Sequence, residues 1–284
     1  MRLRGLLVLL MSTAAAAQSV PAVDTEDASL GTIPVGMGSL HLLAGVDLRN
    51  GDFARGSYDD DAAGLGRLPA HVQLGFAAAL HAGKDGATDM WLVGRSSNGF
   101  HSAHADESSS PRAWYESNNL LGFVAAPTTD LRIGAIYTIK ASPNGVSATT
   151  HEASVTLSYD GKAGLGALHP IVVATVRPRG GHGVFTTAGV EPILLAAGGE
   201  SGAKITIPSK FGVGWGGFYE AGSGTRLYGS TGLALAGPIP LGATQVRVRA
   251  ELLALIRDDR LRRLGDSSHA TVEPLATLSL STAF

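Results

Sequence analysis

Cysteine is absent from the 284 residues, and charged side chains make up only 16% of them. Without thiols there are no disulfides and no thiolate metal sites. The charged fraction lies well below the ~25% of typical globular chains, a deficit that suits a protein whose outer belt faces lipid. Long apolar runs are missing too. Beyond residue 17 nothing approaches the ~18 uninterrupted apolar residues that a transmembrane helix needs. A sustained 3.6-residue apolar period is also lacking there, so no helices are expected. The formal net charge of −2 leaves no basic stripe for nucleic acid.

The N-terminus carries the one compact apolar run. Arg2 and Arg4 precede Gly5–Met11 (GLLVLLM), and Ser12–Ala17 supplies small residues, with Ala15 and Ala17 framing a cleavage point before Gln18. Positive charge, a short apolar stretch and small residues in that order make residues 1–17 a secretory signal peptide. Residues 18–36, with Asp24, Glu26 and Asp27, read as a flexible periplasmic lead-in. Residues 37–284 form the remaining domain.

What that domain has in quantity is two-residue alternation, the period of a strand with one apolar and one polar face. In Ala270–Phe284 (ATVEPLATLSLSTAF), Val272, Ala276, Leu278, Leu280 and Phe284 share one face and Glu273, Thr277, Ser279 and Ser281 the other. Pro274 cannot donate to a ladder, which sets the effective start of this run at Leu275. Leu131, Ile133, Ala135, Tyr137 and Ile139 oppose Asp130, Arg132, Gly134, Thr138 and Lys140, with Ile136 as the exception. Val246, Val248, Ala250, Leu252, Ala254 and Ile256 oppose Gln245, Arg247, Arg249, Glu251 and Arg257. In Trp114–Ala125 the apolar face is read as Tyr115, Leu121 and Phe123, against Glu116, Asn118 and Gly122. Asp89–Ser96 has no clear phase, and Pro170 and Pro192 weaken the runs around them.

About twelve such runs occur, beginning at Ser39. An all-β, antiparallel up-and-down transmembrane β-barrel of about twelve strands is the fold expected, since lipid admits only helices and closed barrels. The connections support it. Asn50–Ala70, Ser97–Ala113 and Asp258–His269 are long, whereas Ala126–Thr129 and Gly237–Ala243 are short. Barrels alternate long external loops with short periplasmic turns; a soluble sandwich has no reason to.

Several motifs could carry chemistry. Gly212–Gly217 spells G-x-G-x-x-G but sits inside a strand pattern with no helix following, so it does not read as a nucleotide loop. His101, His104, Asp106 and Glu107 have loose metal-ligand spacing within a Ser-rich loop, and Asp59–Asp61 lack the glycine of a calcium loop. Both read as solvated loops. His151 falls on the outward parity, where a lipid-acting barrel hydrolase would need a neighbouring serine; none is placed beside it and no G-x-S-x-G occurs. No enzyme activity, metal or cofactor is expected.

Parity sends the charged residues inward, away from lipid. The candidate lumen-lining residues are Arg132, Lys140, Lys210, Arg226, Arg247, Arg249, Glu251 and Glu273, together with Glu116, Glu152 and Glu191. Arg247 and Arg249 share their inward side with Glu273 on the following run, and in a narrow barrel plugged by its own charges they would pair with it. The expected function is a narrow porin-like channel that passes small polar or anionic solutes through a charged lumen. The alternatives are a closed barrel with a structural or surface-interaction role, and the lipid-acting hydrolase.

The AAAAQS signal end, the dozen alternating segments and the terminal LSLSTAF together resemble Gram-negative outer-membrane β-barrel proteins, with porins of the TorF type as the nearest look-alikes. The resemblance implies an outer-membrane location, contact with outer-membrane lipid and with the barrel assembly machinery through the terminal Phe284, passive transfer of small solutes, and no cofactor.

Overall fold

Alternating faces become a closed wall. The computed structural model describes residues 40–51, 53–58, 68–81, 83, 89–103, 110–198, 202–241, 244–264 and 270–283. The proposed signal peptide, the lead-in, His104, Asp106, Glu107, Asp59–Asp61 and Phe284 lie outside these residues.

The wall strands are β1 (Leu40–Arg49), β4 (Ala70–His81), β5 (Asp89–Phe100), β6 (Trp114–Ala126), β7 (Leu131–Ala141), β8 (Thr150–Tyr159), β9 (Ile171–Arg179), β10 (Val184–Val190), β13 (Ser209–Trp215), β14 (Arg226–Leu241), β15 (Thr244–Arg257) and β16 (Val272–Ala283). A small hairpin, β2 (Phe53–Ala54) and β3 (Ser57–Tyr58), follows β1, and a second one, β11 (Ile193–Ala197) and β12 (Ala203–Thr206), extends β10 and β13. Each wall strand pairs antiparallel with its neighbours in the chain, and β1 pairs with β16, as in Val46↔Leu280, so the sheet has no open seam. The fold is a closed twelve-stranded antiparallel barrel. Among the described residues the only helical turns are short 3₁₀ segments, Gly164–Leu168 and Leu261–Arg263.

Prolines act where their missing N–H predicts. Pro192 and Pro208 interrupt two facing strands at one level, and Ile207 donates its N–H to the Pro192 carbonyl at 3.0 Å. That break separates β11–β12 from the wall below. Pro274, contrary to the sequence expectation, lies within β16, which begins at Val272 and keeps register at Ala254↔Pro274. Asn50 explains the difference. Just past the end of β1, its side-chain amide donates to the Pro274 carbonyl and its carbonyl oxygen accepts from the Ala276 N–H, taking over the ladder.

The distribution of polarity is inverted relative to a soluble core. Leu74 and Val155 face outward with 61% and 58% of their surface exposed, while His71 and Glu152 are buried inside at 0% and 1%. Every wall strand exposes apolar side chains outward, and hydroxyl, amide and charged groups fill the interior.

Two apolar clusters also lie inside the wall. Ala77, Trp91, Val93, Val124 and Ile136 pack together across β4–β7. This cluster fixes the phase of β5, with Trp91, Val93 and Arg95 inward, and accounts for Ile136, the alternation exception. The second cluster is Phe53, Phe185, Phe218, Tyr228, Leu255 and Leu261, at the long-loop end on the opposite side. Tyr228 lies over a glycine: a Cβ on Gly212 would come within 2.2 Å of its ring. The G-x-G-x-x-G match is therefore the end of a strand and the turn after it, with Gly212 making room for Tyr228 and Gly214 for Tyr219. Gly212→Ala is expected to cost about 1–3 kcal/mol by overpacking, read as a lower midpoint in heat-modifiability gels.

Candidate functional site

The lumen is organised by a piece of the first long connection. Between Phe53↔Tyr58 and Ala54↔Ser57 only Arg55 and Gly56 turn the chain, with φ of 50° and 79°. Two residues at positive φ form the hairpin turn whose twist matches its strands, and glycine takes that conformation freely. Arginine does not. A non-glycine residue held there costs on the order of 1 kcal/mol and points to a constraint elsewhere.

That constraint is a carboxylate on the opposite wall. Arg55 Nη1 and Nη2 donate to both oxygens of Glu152 on β8 at 2.7 Å each, with the two side chains 3% and 1% exposed. Arg177 on β9 donates through Nε to Glu152 Oε1 at 3.0 Å and through Nη1 to the Phe218 carbonyl at 2.6 Å. The Arg177 guanidinium lies 3.9 Å over the Phe218 ring, and Arg55 lies 4.9 and 5.1 Å over Phe185 and Phe218. Tyr219 closes the set by donating its hydroxyl to the Arg55 carbonyl at 2.7 Å. Alternation and a bulge set the geometry. Arg177 follows the inward alternation of Val173 and Thr175, and Glu152 alone faces Arg177 and Pro178 between the pairs His151↔Arg179 and Ala153↔Val176, so the extra residue sends Arg179 outward. The result is a staple holding the β2–β3 hairpin inside the long-loop end of the barrel.

Below the hairpin lies a cavity of ≈ 200 Å³. Phe53, Arg55 and Gly56 line it on the hairpin side; the wall contributes Arg132, Lys210, Arg249 and Glu251 together with a set of hydroxyls, Ser158, Ser209, Ser230, Thr277 and Ser279. Arg249 donates at 2.6 Å to both Glu191 and Glu251. At the short-turn end His169 hydrogen-bonds Asp160, whose carboxyl is held below its ordinary value by that bond. The unfolded chain binds that proton more readily, so the bond's stabilisation is whole above a pH near 3.8 and is lost as pH falls through the lower folded value. The stability gap between wild type and Asp160→Asn is therefore expected to close on acidification, measured by urea unfolding at a series of pH values.

Of the residues expected to line the lumen, Arg132, Lys210, Arg249 and Glu251 meet at the cavity. Lys140 lies on the inward parity of β7 beside the staple, near enough to act on Glu152. Arg226 sits at the long-loop rim of β14, donating to the Thr225 carbonyl at 3.3 Å, and Arg247 stands near the short-turn end of β15 opposite Ser281. Glu273 is buried inside the wall, but its ion-pair partner is Arg257, at 3.7 Å. The pairing with Arg247 and Arg249 that a plugged barrel would make is corrected by register: antiparallel pairing puts those arginines opposite Ser281 and Ser279, and Glu273 opposite Leu255, about 20 Å further along at ~3.3 Å per residue. Tyr115 is a second correction. A bulge between Gly99↔Glu116 and Phe100↔Trp114 leaves it as the extra residue and turns it inward.

Tyr115 there joins a buried polar network that parity alone did not assemble. Its hydroxyl lies 2.8 Å from His71 Nε2, which is also 3.1 Å from Glu116, while His71 Nδ1 is 3.4 Å from Asp47. Gln73 donates to Asp47 at 2.8 Å. This network cross-braces β1, β4 and β6.

Sequence reasoning missed Arg55 and Arg177. The available signal was the presence of Phe53, Phe218 and Tyr219 in connections that should be solvated; aromatics there need something to pack on.

No protein-family model matches the chain, and no curated protein resembles it in sequence. In fold it is similar to the KdgM porin in complex with disordered oligogalacturonate (7% identity, 86% of this chain and 99% of that one, TM-score 0.42). It is also similar to BamA from Haemophilus ducreyi lacking POTRA domains 1–3 (10%, 94% and 75%, TM-score 0.33) and to the outer membrane protein opdK from Pseudomonas aeruginosa (11%, 87% and 97%, TM-score 0.26). These likenesses are too distant to bear on function.

Proposed function

We propose that the chain is an outer-membrane β-barrel of a Gram-negative cell that passes small polar solutes through a lumen throttled by its own β2–β3 hairpin. The apolar outer face and polar interior support the membrane setting, because exposed leucines and buried carboxylates in one wall suit lipid outside and water inside. The observation that carries the channel reading is the ≈ 200 Å³ cavity under the hairpin, lined by Arg132, Lys210, Arg249 and Glu251. Small eight-stranded barrels are filled by their own side chains. Here the space is left open and its floor is charged and hydroxylated.

The hairpin sits at the long-loop end, which such barrels present externally, and the cavity lies on its inner side. Solute passage then depends on a narrow gap beside the hairpin or on its displacement. Small, infrequent conductance steps in planar bilayers are the expected result for the purified barrel. A folded, inserted and electrically silent protein would instead mark a closed barrel.

A further inference from the structure

Within the proposed membrane setting, one place on the outer wall breaks the apolar rule. In the long-loop half of the strands, the outward parity carries two basic residues and no carboxylate among the described residues, and the two are neighbours. His151 begins β8 and Arg179 ends β9, and they face each other in register as His151↔Arg179. Directly opposed residues have side chains ~5 Å apart, so the imidazole and the guanidinium are close enough to contact a single group between them.

The imidazole is also oriented. Tyr137 on β7 shares a hydrogen bond with His151 Nδ1 at 2.8 Å, their rings 5.8 Å apart. Aromatic rings mark this level on both sides: Phe100 stacks on Trp114, and Trp215 donates its indole N–H to Thr186. Aromatics of this kind gather where lipid headgroups begin. A cation at that depth is tolerated, where at the midplane it would not be.

We infer that His151, Arg179 and Tyr137 form a site for the phosphate group of an anionic lipid in the external leaflet. Arg179 supplies a planar pair of donors, and the imidazole Nε2 side stands free of the tyrosine to complete the contact. The acyl chains of such a lipid would lie over Val155, Val176 and Leu157, which are exposed on the same face. The single basic pair and the missing carboxylate favour this ligand over a zwitterionic headgroup.

Native mass spectrometry of the full barrel released from detergent micelles tests this, with bisphosphorylated lipid A, dephosphorylated lipid A and inorganic phosphate as probes. The wild type is expected to retain bisphosphorylated lipid A, and the double variant His151→Ala/Arg179→Gln to bind it at least ~10-fold more weakly, the scale of losing charge-assisted contacts. Tyr137→Phe should weaken it less, as an orienting change. Equal retention of the dephosphorylated lipid, or unchanged retention in a double variant that still shows heat-modifiable folding, would overturn the site. Displacement of the lipid by millimolar inorganic phosphate would overturn it in favour of a free-anion site. If the wild type carried no detergent or lipid belt at all, the membrane reading itself would fall, a separate result.

Discussion

Glu152→Gln is expected to raise single-channel conductance several-fold while leaving the barrel folded. Gln keeps the volume of Glu152 but removes the charge that the buried Arg55 and the part-buried Arg177 share. Breaking a buried pair by removing one partner costs about 3–5 kcal/mol, because the surviving charge is left uncompensated. Arg55 can escape that cost only by leaving, since its turn is already strained at φ 50°. A loss of that size shifts the docked-to-released balance of the hairpin by ~100-fold or more, at ~1.4 kcal/mol per decade. The wall itself is held by β-ladders that do not involve Glu152's side chain, so heat-modifiability should survive. Unchanged conductance in the folded variant would show that the staple does not set the width of the path.

The second large effect concerns the outer wall. Val155 lies at the middle of β8, in register with Ala135 and Ala174 at the middles of β7 and β9, and is 58% exposed. If that face meets lipid, Val155→Arg costs about 2–4 kcal/mol for a midplane charge. If it met water, the same change on an exposed strand position would fall within about ±0.5 kcal/mol. Reversible urea unfolding of the barrel in phospholipid vesicles separates the two. A near-zero difference would refute the membrane-facing assignment of this wall.

The wall was legible because its rule is local. A period of two, repeated in Leu131–Lys140 and Gln245–Arg257, identifies both faces without knowing which strands pair. Register was not legible. Glu273 could be placed inside but not beside Arg257, since one-dimensional parity carries no information on offset between strands. The bulges at Tyr115 and at Arg177–Pro178 were also hidden, because a single extra residue reverses parity locally and leaves the rest of the run unchanged. The staple was the least readable part. Arg55 and Glu152 are 97 positions apart, one in an apparent loop and one in a strand, and only the folded-in hairpin brings them together.

The hairpin's control of the path is tested most directly by tethering it. The chain has no native cysteine, and a Cβ at Gly56 would lie 2.6 Å from the Tyr228 Cβ, about 1 Å short of disulfide spacing of ~3.5–4.5 Å. Gly56→Cys and Tyr228→Cys introduced together with Glu152→Gln give a barrel whose hairpin is fixed when oxidised and free when reduced. In planar bilayers conductance is expected to be low under oxidising conditions and to rise several-fold when reductant is added to the same membrane. Conductance that is equal before and after reduction, with the disulfide verified by mass, would contradict the hairpin's control of the path.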